Sequence, residues 1–479
     1  MPEGGLSAVT AGLARANARV SDAVRALSET GRVDLTGLPR GALARLLASA
    51  RAKSGKPIVL VTEDTDTARR MAENLAFFGR GIADGGSDVL VYPAADTSPF
   101  LAVAPDRRAA MDRLAVLFHL AQGLPFGFLI VPTAGLLRRV PPREHVRSTS
   151  MVVRTEEELD RDAFIRTLDR CGYLRVPVAE DPGTFAVRGG LIDVFPPHAT
   201  HPVRIELDDW LVMSIKRFDS DDQRTIEPVD QLYVHPIREA PQGDAETALA
   251  RERVRALCDK LNIPTAHARR LVDDLESGRS FYGIEALLPA FFRGLETLFD
   301  YLPEDARLVI QDPTACASVA REELGRASDD RSAAREDGRP TFELEELYLE
   351  EPALADELCA RGAAIVHRVA IIGGAGEDDS PLAALESAQE SSLLHLGGED
   401  QSLLTAELKA RRATHGRDDA LLPVARRARG FLDAGMRVFF TARTHSQADR
   451  LVALLSGYEV PVKAGALEAT PDLSAVDHS

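Results

Sequence analysis

One stretch of the chain has the residue types of a phosphate-binding turn. A P-loop places a glycine-rich turn between a strand and a helix, with a lysine on the phosphates and a Ser or Thr on magnesium. The segment LTGLPRGALARLL keeps Thr36 and Gly37 between a predicted strand and a predicted helix, and Arg40 stands near the position of the lysine. Pro39 lacks the backbone N–H that such a turn offers to an anion. We therefore predict that this degenerate turn binds no nucleotide.

An acidic residue that could complete such a site stands at the end of another predicted strand. The segment LVIQDP supplies Asp312, but Pro313 occupies the position where a glutamate would orient water. The sequence contains no HExxH, GxSxG or CxxC motif, so the patterns typical of metal sites and activated nucleophiles are missing. His198 and His201 could chelate a metal across a turn, although solvated loop histidines are the simpler interpretation. We predict no catalytic residue and no metal site in this chain.

Arginines are set among aromatic residues between positions 172 and 239. Arginine beside aromatic anchors is typical of protein interfaces, because the guanidinium stacks on rings and forms forked hydrogen bonds to carboxylates. The alternative is that the aromatic rings belong to the core and that some of the arginines only solubilise strand edges. We predict that a partner binds the following residues: Arg175, Phe185, Arg188 and Arg204.

The pattern around these arginines predicts short antiparallel strands. Polar and apolar residues alternate over 184–187, 191–195, 203–207 and 211–218, and glycine, proline or aspartate pairs separate the runs. Such alternation predicts an antiparallel sheet that has one face on a core and the other face in water.

The order of the side chains in this segment resembles a known family. The strings TFAVRGGLIDVFPP, VRIELDDW and FDSDDQRTIEPVD are similar to the second domain of the transcription-repair coupling factor (Mfd) family, and the excision-repair protein UvrB carries a similar module. In both families this module docks the damage sensor UvrA. The resemblance implies that UvrA is the partner, that Arg175 and Arg188 meet acidic residues of UvrA, and that Phe185 lies between them.

The resemblance also implies a role for the rest of the chain. UvrB has a working P-loop at the turn that is degenerate here, whereas the coupling factors have a UvrB-like sheet without nucleotide motifs. Complete coupling factors continue with an RNA-polymerase-binding domain and a motor that uses ATP and Mg to translocate on double-stranded DNA and displace stalled polymerase. The resemblance thus implies an N-terminal adaptor without catalysis or a cofactor of its own. The alternatives are a UvrB-like ATP-dependent repair protein or helicase, and an interaction protein unrelated to repair.

The composition favours binding to a protein over binding to double-stranded DNA. The net charge is −17, whereas most affinity for DNA comes from basic residues that neutralise phosphates. The four cysteines are isolated, which favours a reducing compartment. No apolar run approaches the roughly 18–20 residues of a membrane span. We predict a cytoplasmic protein without a membrane partner.

Strands alternate with helices on both sides of the antiparallel segment, which predicts an α/β fold. The expected architecture is a degenerate P-loop-type parallel sheet, UvrB-like by resemblance, with an inserted antiparallel α+β module and a separate small α/β domain after it. Residues 328–342 are charged and poor in large apolar side chains, which predicts a linker. The predicted plan is 1–146 for the first part of the sheet, 147–239 for the UvrA-docking module, 240–327 for the segment completing the sheet, 328–342 for the linker, 343–465 for the third domain and 466–479 for a disordered tail.

Overall fold

The computed structural model describes residues 18–463, apart from 30, 81–87, 104–105, 198, 278–280, 282, 369–370, 373–379, 389–392, 398–401, 416–420, 434, 436–437, 439, 441 and 443. The predicted tail at 466–479 lies outside the described residues, as does His198. None of the helices in the described part combines the length and apolar character that crossing a lipid bilayer requires.

A parallel sheet of seven strands organises the fold. Its members are β1 (Asp34–Thr36), β2 (Ile58–Thr62), β3 (Val89–Val91), β4 (Phe128–Pro132), β13 (Arg307–Gln311), β14 (Ala364–Val366) and β17 (Leu393–His395). Their order across the sheet is β17-β1-β14-β13-β2-β4-β3, and each neighbouring pair runs parallel. This is the parallel α/β sheet that the sequence predicted. Two short strands outside it, β15 (Ile371–Ile372) and β16 (Ser387–Ala388), pair parallel with each other.

Helices connect and cover the strands, together with 3-10 helices at Ile284–Phe291, Leu298–Tyr301 and Ala383–Glu386. The α-helices are α1 (18–28), α2 (Arg40–Ser54), α3 (Thr65–Phe78), α4 (Arg107–Ala121), α5 (Thr133–Leu137), α6 (Arg143–Thr149), α7 (Arg161–Arg170), α8 (Asp244–Lys260), α9 (Thr265–Glu276), α10 (Pro313–Glu336), α11 (Leu344–Leu347), α12 (Glu351–Ala360), α13 (Ser402–His415), α14 (Leu422–Asp433) and α15 (His445–Ser456).

The parallel sheet is buried on both faces. Side chains alternate along β2, so Ile58 and Leu60 enter one core while Val59 and Val61 enter the other. A strand between two cores has no wet face, and the run IVLV therefore contains no polar residue.

A six-stranded, mainly antiparallel sheet is inserted between α7 and α8. Its strands are β6 (Leu174–Arg175), β7 (Thr184–Arg188), β8 (Leu191–Phe195), β9 (Val203–Asp208), β10 (Leu211–Phe218) and β11 (Thr225–Pro228), in the order β11-β10-β9-β8-β7-β6. The chain enters on β5 (Met151–Arg154) and leaves on β12 (Gln231–Val234), which pair antiparallel. Phe164 and Leu168 of α7 pack on the inner face of the sheet. Paired entry and exit strands close this insertion as a unit with its own core.

The predicted linker at 328–342 is wrong over most of its length. Helix α10 continues to Glu336 without a break. Ala320, Ala327 and Ala334 recur every seventh residue and are fully buried in the core that Val59 and Val61 enter. Small alanines form the buried stripe, so a stretch that is polar in composition packs as a helix.

The predicted separate domain at 343–465 also begins too early. Strands β14 and β17 flank β1 in the main sheet. Leu347 and Leu354 lie in the core that Leu129 and Val131 of β4 enter. The carboxylate of Asp34 in β1 meets His367 Nε2 at 2.8 Å, and both side chains are fully buried. Within the described part of 343–465, α14, α15 and the residues just after α15 form a core apart from the main sheet, made of Ala425, Ala428, Leu455 and Val460.

Candidate docking face

The outer face of the inserted sheet is organised around one buried carboxylate. Asp193, on β8, is 2% exposed and pairs in register with Arg204 on β9. Arg204 donates from Nε to Oδ1 at 2.7 Å and from Nη2 to Oδ2 at 3.0 Å, and Arg188 donates from Nη2 to Oδ2 at 2.9 Å. Two arginines, one on each strand that flanks β8, are therefore held by one acid.

The two arginines differ in what they leave exposed. Arg204 lies over the ring of Phe218, with its guanidinium carbon 4.4 Å from the ring centre, and also donates to Gln223 at 3.0 Å. The hydrogen bonds to Asp193 raise the pKa of Arg204. Arg188 has 47% of its side chain exposed. Arg204 thus acts mainly within the sheet, whereas Arg188 offers free donors to a partner.

The rest of the outer face mixes charge with apolar surface. Leu191 pairs in register with Arg188 and with Glu206 and is itself exposed. Glu206 accepts from Lys216 Nζ at 2.8 Å and from Ser214 Oγ at 2.5 Å, and these bonds lower its pKa. An exposed leucine beside an exposed arginine is a suitable surface for a protein partner.

The turn between β7 and β8 brings Gly190 close to β9. Gly190 has no side chain there, and a Cβ at this position would lie 2.7 Å from the backbone oxygen of Leu207. Leu207 N–H also donates to the Gly190 oxygen at 2.8 Å. The glycine is thus required by close approach of two backbones.

Substituting Gly190 with alanine is expected to destabilise the chain by about 1–3 kcal/mol, as overpacking against a fixed backbone does. Denaturant unfolding followed by circular dichroism measures this. Gly189→Asn is the control, because Gly189 has φ +60°, nothing lies within 4 Å of the position that a Cβ would take there, and asparagine tolerates that conformation. Equal stabilities for the two variants would contradict the close-approach argument.

Phe185 does not lie on this face, so the prediction that it contacts a partner is wrong. Its ring is fully buried with Ile192 and Val194 in the core of the insertion. Residues three apart on a strand point to opposite faces, so an outward Arg188 requires an inward Phe185.

Arg175 is exposed on the edge strand β6, but on the other side of the sheet from Arg188. It pairs in register with Phe185, and paired residues of neighbouring strands project to the same side. Leu174 projects to the outer side and is 53% exposed. The structure therefore brings Arg188 and Arg204 together at Asp193 and leaves Arg175 apart, at the edge.

The end of β17 and the residues just after it pack against the degenerate nucleotide turn. A Cβ on Gly37 would lie 3.0 Å from His395 Cε1 and 3.1 Å from Gly397 N, and Leu396 N–H donates to the Thr36 oxygen at 3.0 Å. Arg40 is exposed at the start of α2.

Asp312 caps the N-terminus of α10 by accepting from Ala315 N–H at 3.1 Å. Its strand, β13, is separated from β1 by β14. The carboxylate therefore has a local role in helix capping. That the turn and Asp312 bind neither nucleotide nor metal stays a prediction.

The inserted sheet coincides with a region that matches a known domain family. Residues 151–239 match the UvrB interaction domain family, which covers the inserted sheet from β5 to the end of β12 and five residues beyond. The chain is 34% identical over 457 residues, 93% of its length, to the transcription-repair-coupling factor of Myxococcus xanthus. It is 31% identical over 279 residues, 58% of its length, to that of Escherichia coli (strain K12).

The insertion thus defines the chain as a protein with a UvrB interaction domain. Over the region that it shares with these relatives, the chain is homologous to proteins named transcription-repair-coupling factor. The shared region spans 36% of the Myxococcus xanthus relative and 23% of the Escherichia coli relative.

Proposed function

We propose that this chain is an adaptor that recruits UvrA to lesions where RNA polymerase has stalled. The observation that carries the proposal is the half-exposed Arg188, fixed by buried Asp193 and bordered by exposed Leu191 on a UvrB interaction domain. In the whole protein, we propose, further domains bind RNA polymerase and use ATP and Mg to translocate on double-stranded DNA. The stretch described by these 479 residues takes no cofactor in this proposal.

The arrangement supports recognition of an acidic surface on the partner. Arg188 uses Nη2 to bond Asp193 and is 47% exposed, so its other N–H groups are accessible to acceptors on a partner. A guanidinium held in place loses less conformational freedom when it binds a carboxylate than a mobile one does. The chain has a net charge of −17, so an acidic partner surface is attracted to the local basic group at Arg188 and repelled elsewhere, which fixes where it docks.

Charge reversal at Arg188 tests the proposal. The Arg188→Glu variant is expected to bind UvrA at least about tenfold more weakly, about 1.4 kcal/mol, because a carboxylate would face the acidic groups of the partner. Isothermal titration of UvrA into the 479-residue chain measures the affinity.

The matched control is Arg217→Glu. Arg217 lies on the same sheet, is exposed to nearly the same extent, at 48% against 47%, and pairs with Glu227 near the opposite edge. Its reversal is expected to leave the affinity unchanged. Equal losses in the two variants would place the interface elsewhere, and no binding by the unaltered chain would refute the adaptor function.

A further inference from the structure

A cavity of about 320 Å³ lies where the UvrB interaction domain returns to the parallel sheet. It is bounded by α4, by the chain that follows β12 and by the 3-10 helix Ile284–Phe291. Its volume falls in the range of roughly 300–1,000 Å³ that small-molecule sites occupy. Its charged lining consists of four arginines and two glutamates: Arg107, Arg113, Arg138, Arg238, Glu239 and Glu285.

Only part of the positive charge is neutralised within the chain. Arg113 donates to Glu239 Oε1 from Nη2 at 3.0 Å and from Nε at 3.2 Å. Burial raises the pKa of Glu285, which disfavours its charged form. Among the residues that the structure describes, no carboxylate comes within 4.0 Å of the side-chain nitrogens of Arg107 or Arg238. The cavity is therefore electropositive in a chain whose net charge is −17.

Both unneutralised arginines line the cavity. Burial lowers the pKa of Arg238, and the charge of Arg107 lowers it further. Two like charges that line one cavity repel each other, which raises the free energy of the folded chain. A bound anion would offset this repulsion.

Two glycines of the interaction domain pack onto these arginines. A Cβ on Gly172 would lie 3.0 Å from Arg238 Cδ, and a Cβ on Gly183 would lie 3.2 Å from Arg107 Nη2. Both glycines have positive φ, +89° and +77°. The backbone of the interaction domain thus lies against both arginines, which restricts their positions.

Apolar side chains complete the lining of the cavity. Ile237, Leu288 and Phe291 line it, and each is at most 3% exposed. An occupant that satisfies both parts carries a negative head and an apolar body. Apolar walls with a few convergent polar groups are the usual composition of a small-molecule site.

We propose that this cavity binds a small organic anion, with a phosphate or carboxylate on Arg107 and Arg238 and an apolar body against Ile237, Leu288 and Phe291. The site is independent of the outer face at Arg188, so it stands whether or not UvrA binds there. Occupancy would also tie the interaction domain to the parallel sheet, because both bodies contribute to the lining.

Titration calorimetry with phenyl phosphate on the 479-residue chain tests the site. Binding at one site per chain is expected, and it should weaken at least about tenfold in the Arg107→Met, Arg238→Met double variant. Methionine keeps an apolar stem beneath Gly183 and Gly172, so the fold is retained. Phenyl phosphate should raise the Tm of the unaltered chain and leave that of the double variant unchanged.

Control probes separate the head from the body. Phenol has no charge and inorganic phosphate has no ring, and both are expected to bind more weakly than phenyl phosphate. Benzoate shows whether a carboxylate serves as well as a phosphate. Arg108→Met is the matched control, because Arg108 is exposed on α4 and pairs with Asp112 away from the cavity. Absent binding, or equal binding by the double variant and Arg108→Met, would overturn the proposal.

Discussion

Replacing Glu239 by alanine is expected to destabilise the chain by about 3–5 kcal/mol, the cost of leaving a buried charge without its partner. Arg113, which donates two hydrogen bonds to Glu239, has only 5% of its side chain exposed. The pair joins Glu239, the last residue of the UvrB interaction domain, to Arg113 on α4. Denaturant unfolding measures the loss, which should fall on the whole transition if the insertion and the sheet unfold together.

An exposed pair of the same type is the control for this loss. Glu276 pairs with Arg251 at 3.1 Å, but both side chains are nearly half exposed. Glu276→Ala is therefore expected to cost less than about 1 kcal/mol. Similar losses in the two alanine variants would show that burial of Arg113 does not set the energy.

The dependence on pH gives a second measurement for Glu239. Burial alone would raise the pKa of Glu239, but the charges of Arg113 and Arg138 outweigh burial and hold the pKa below its ordinary value of 4.5. A carboxyl group with a lowered folded pKa stabilises the fold above its unfolded pKa and loses that contribution as pH falls through the folded pKa. The stability difference between the unaltered chain and Glu239→Gln should be constant at neutral pH and shrink in acid.

The sequence predicted which segments form strands better than which sheet they join. The runs at 57–61 and 128–131 are continuously apolar, as strands of a buried parallel sheet are, and β2 and β4 lie there. Nothing local to 364–366 shows that it lies between β1 and β13, because that place depends on contacts such as Asp34 with His367, far apart in sequence. In α10 the buried residues are mostly alanines. A search for large apolar side chains at helical spacing gives alanine little weight, so this helix was not predicted.

Part of the candidate site could also be predicted from the alternation of side chains between the two faces of a strand. Phe185 and Arg188 lie an odd number of residues apart on one strand, so they could not share a face. Asp193 was overlooked, although a single acid between Ile192 and Val194 in an apolar strand is a signal for a buried ion pair. The arginines of the cavity come from positions 107, 113, 138 and 238, and only the tertiary fold brings them together.

Asp193 is the residue of the docking face whose loss should have the largest effect. In the Asp193→Ala variant, Arg204 and Arg188 lose their shared acceptor. Arg204 keeps Gln223 and Phe218 and is partly exposed. We therefore expect a loss of about 2–3 kcal/mol, below the cost of stranding a fully buried charge. Denaturant unfolding measures it, with Glu227→Ala as the control, because Glu227 belongs to an exposed pair on the same sheet.

The same substitution separates positioning from contact at the proposed interface. Asp193 is itself buried, so a partner cannot reach its carboxylate. If Asp193 orients Arg188 for the partner, Asp193→Ala should weaken UvrA binding by less than Arg188→Glu does, and Asp193→Asn, which keeps one acceptor oxygen, should weaken it least. The ranking is measured by titration calorimetry at a temperature where all three variants remain folded. Asp193→Ala binding as tightly as the unaltered chain would mean that the buried acid stabilises the sheet and has no part in presenting Arg188, because the guanidinium would then bind equally well without its anchor.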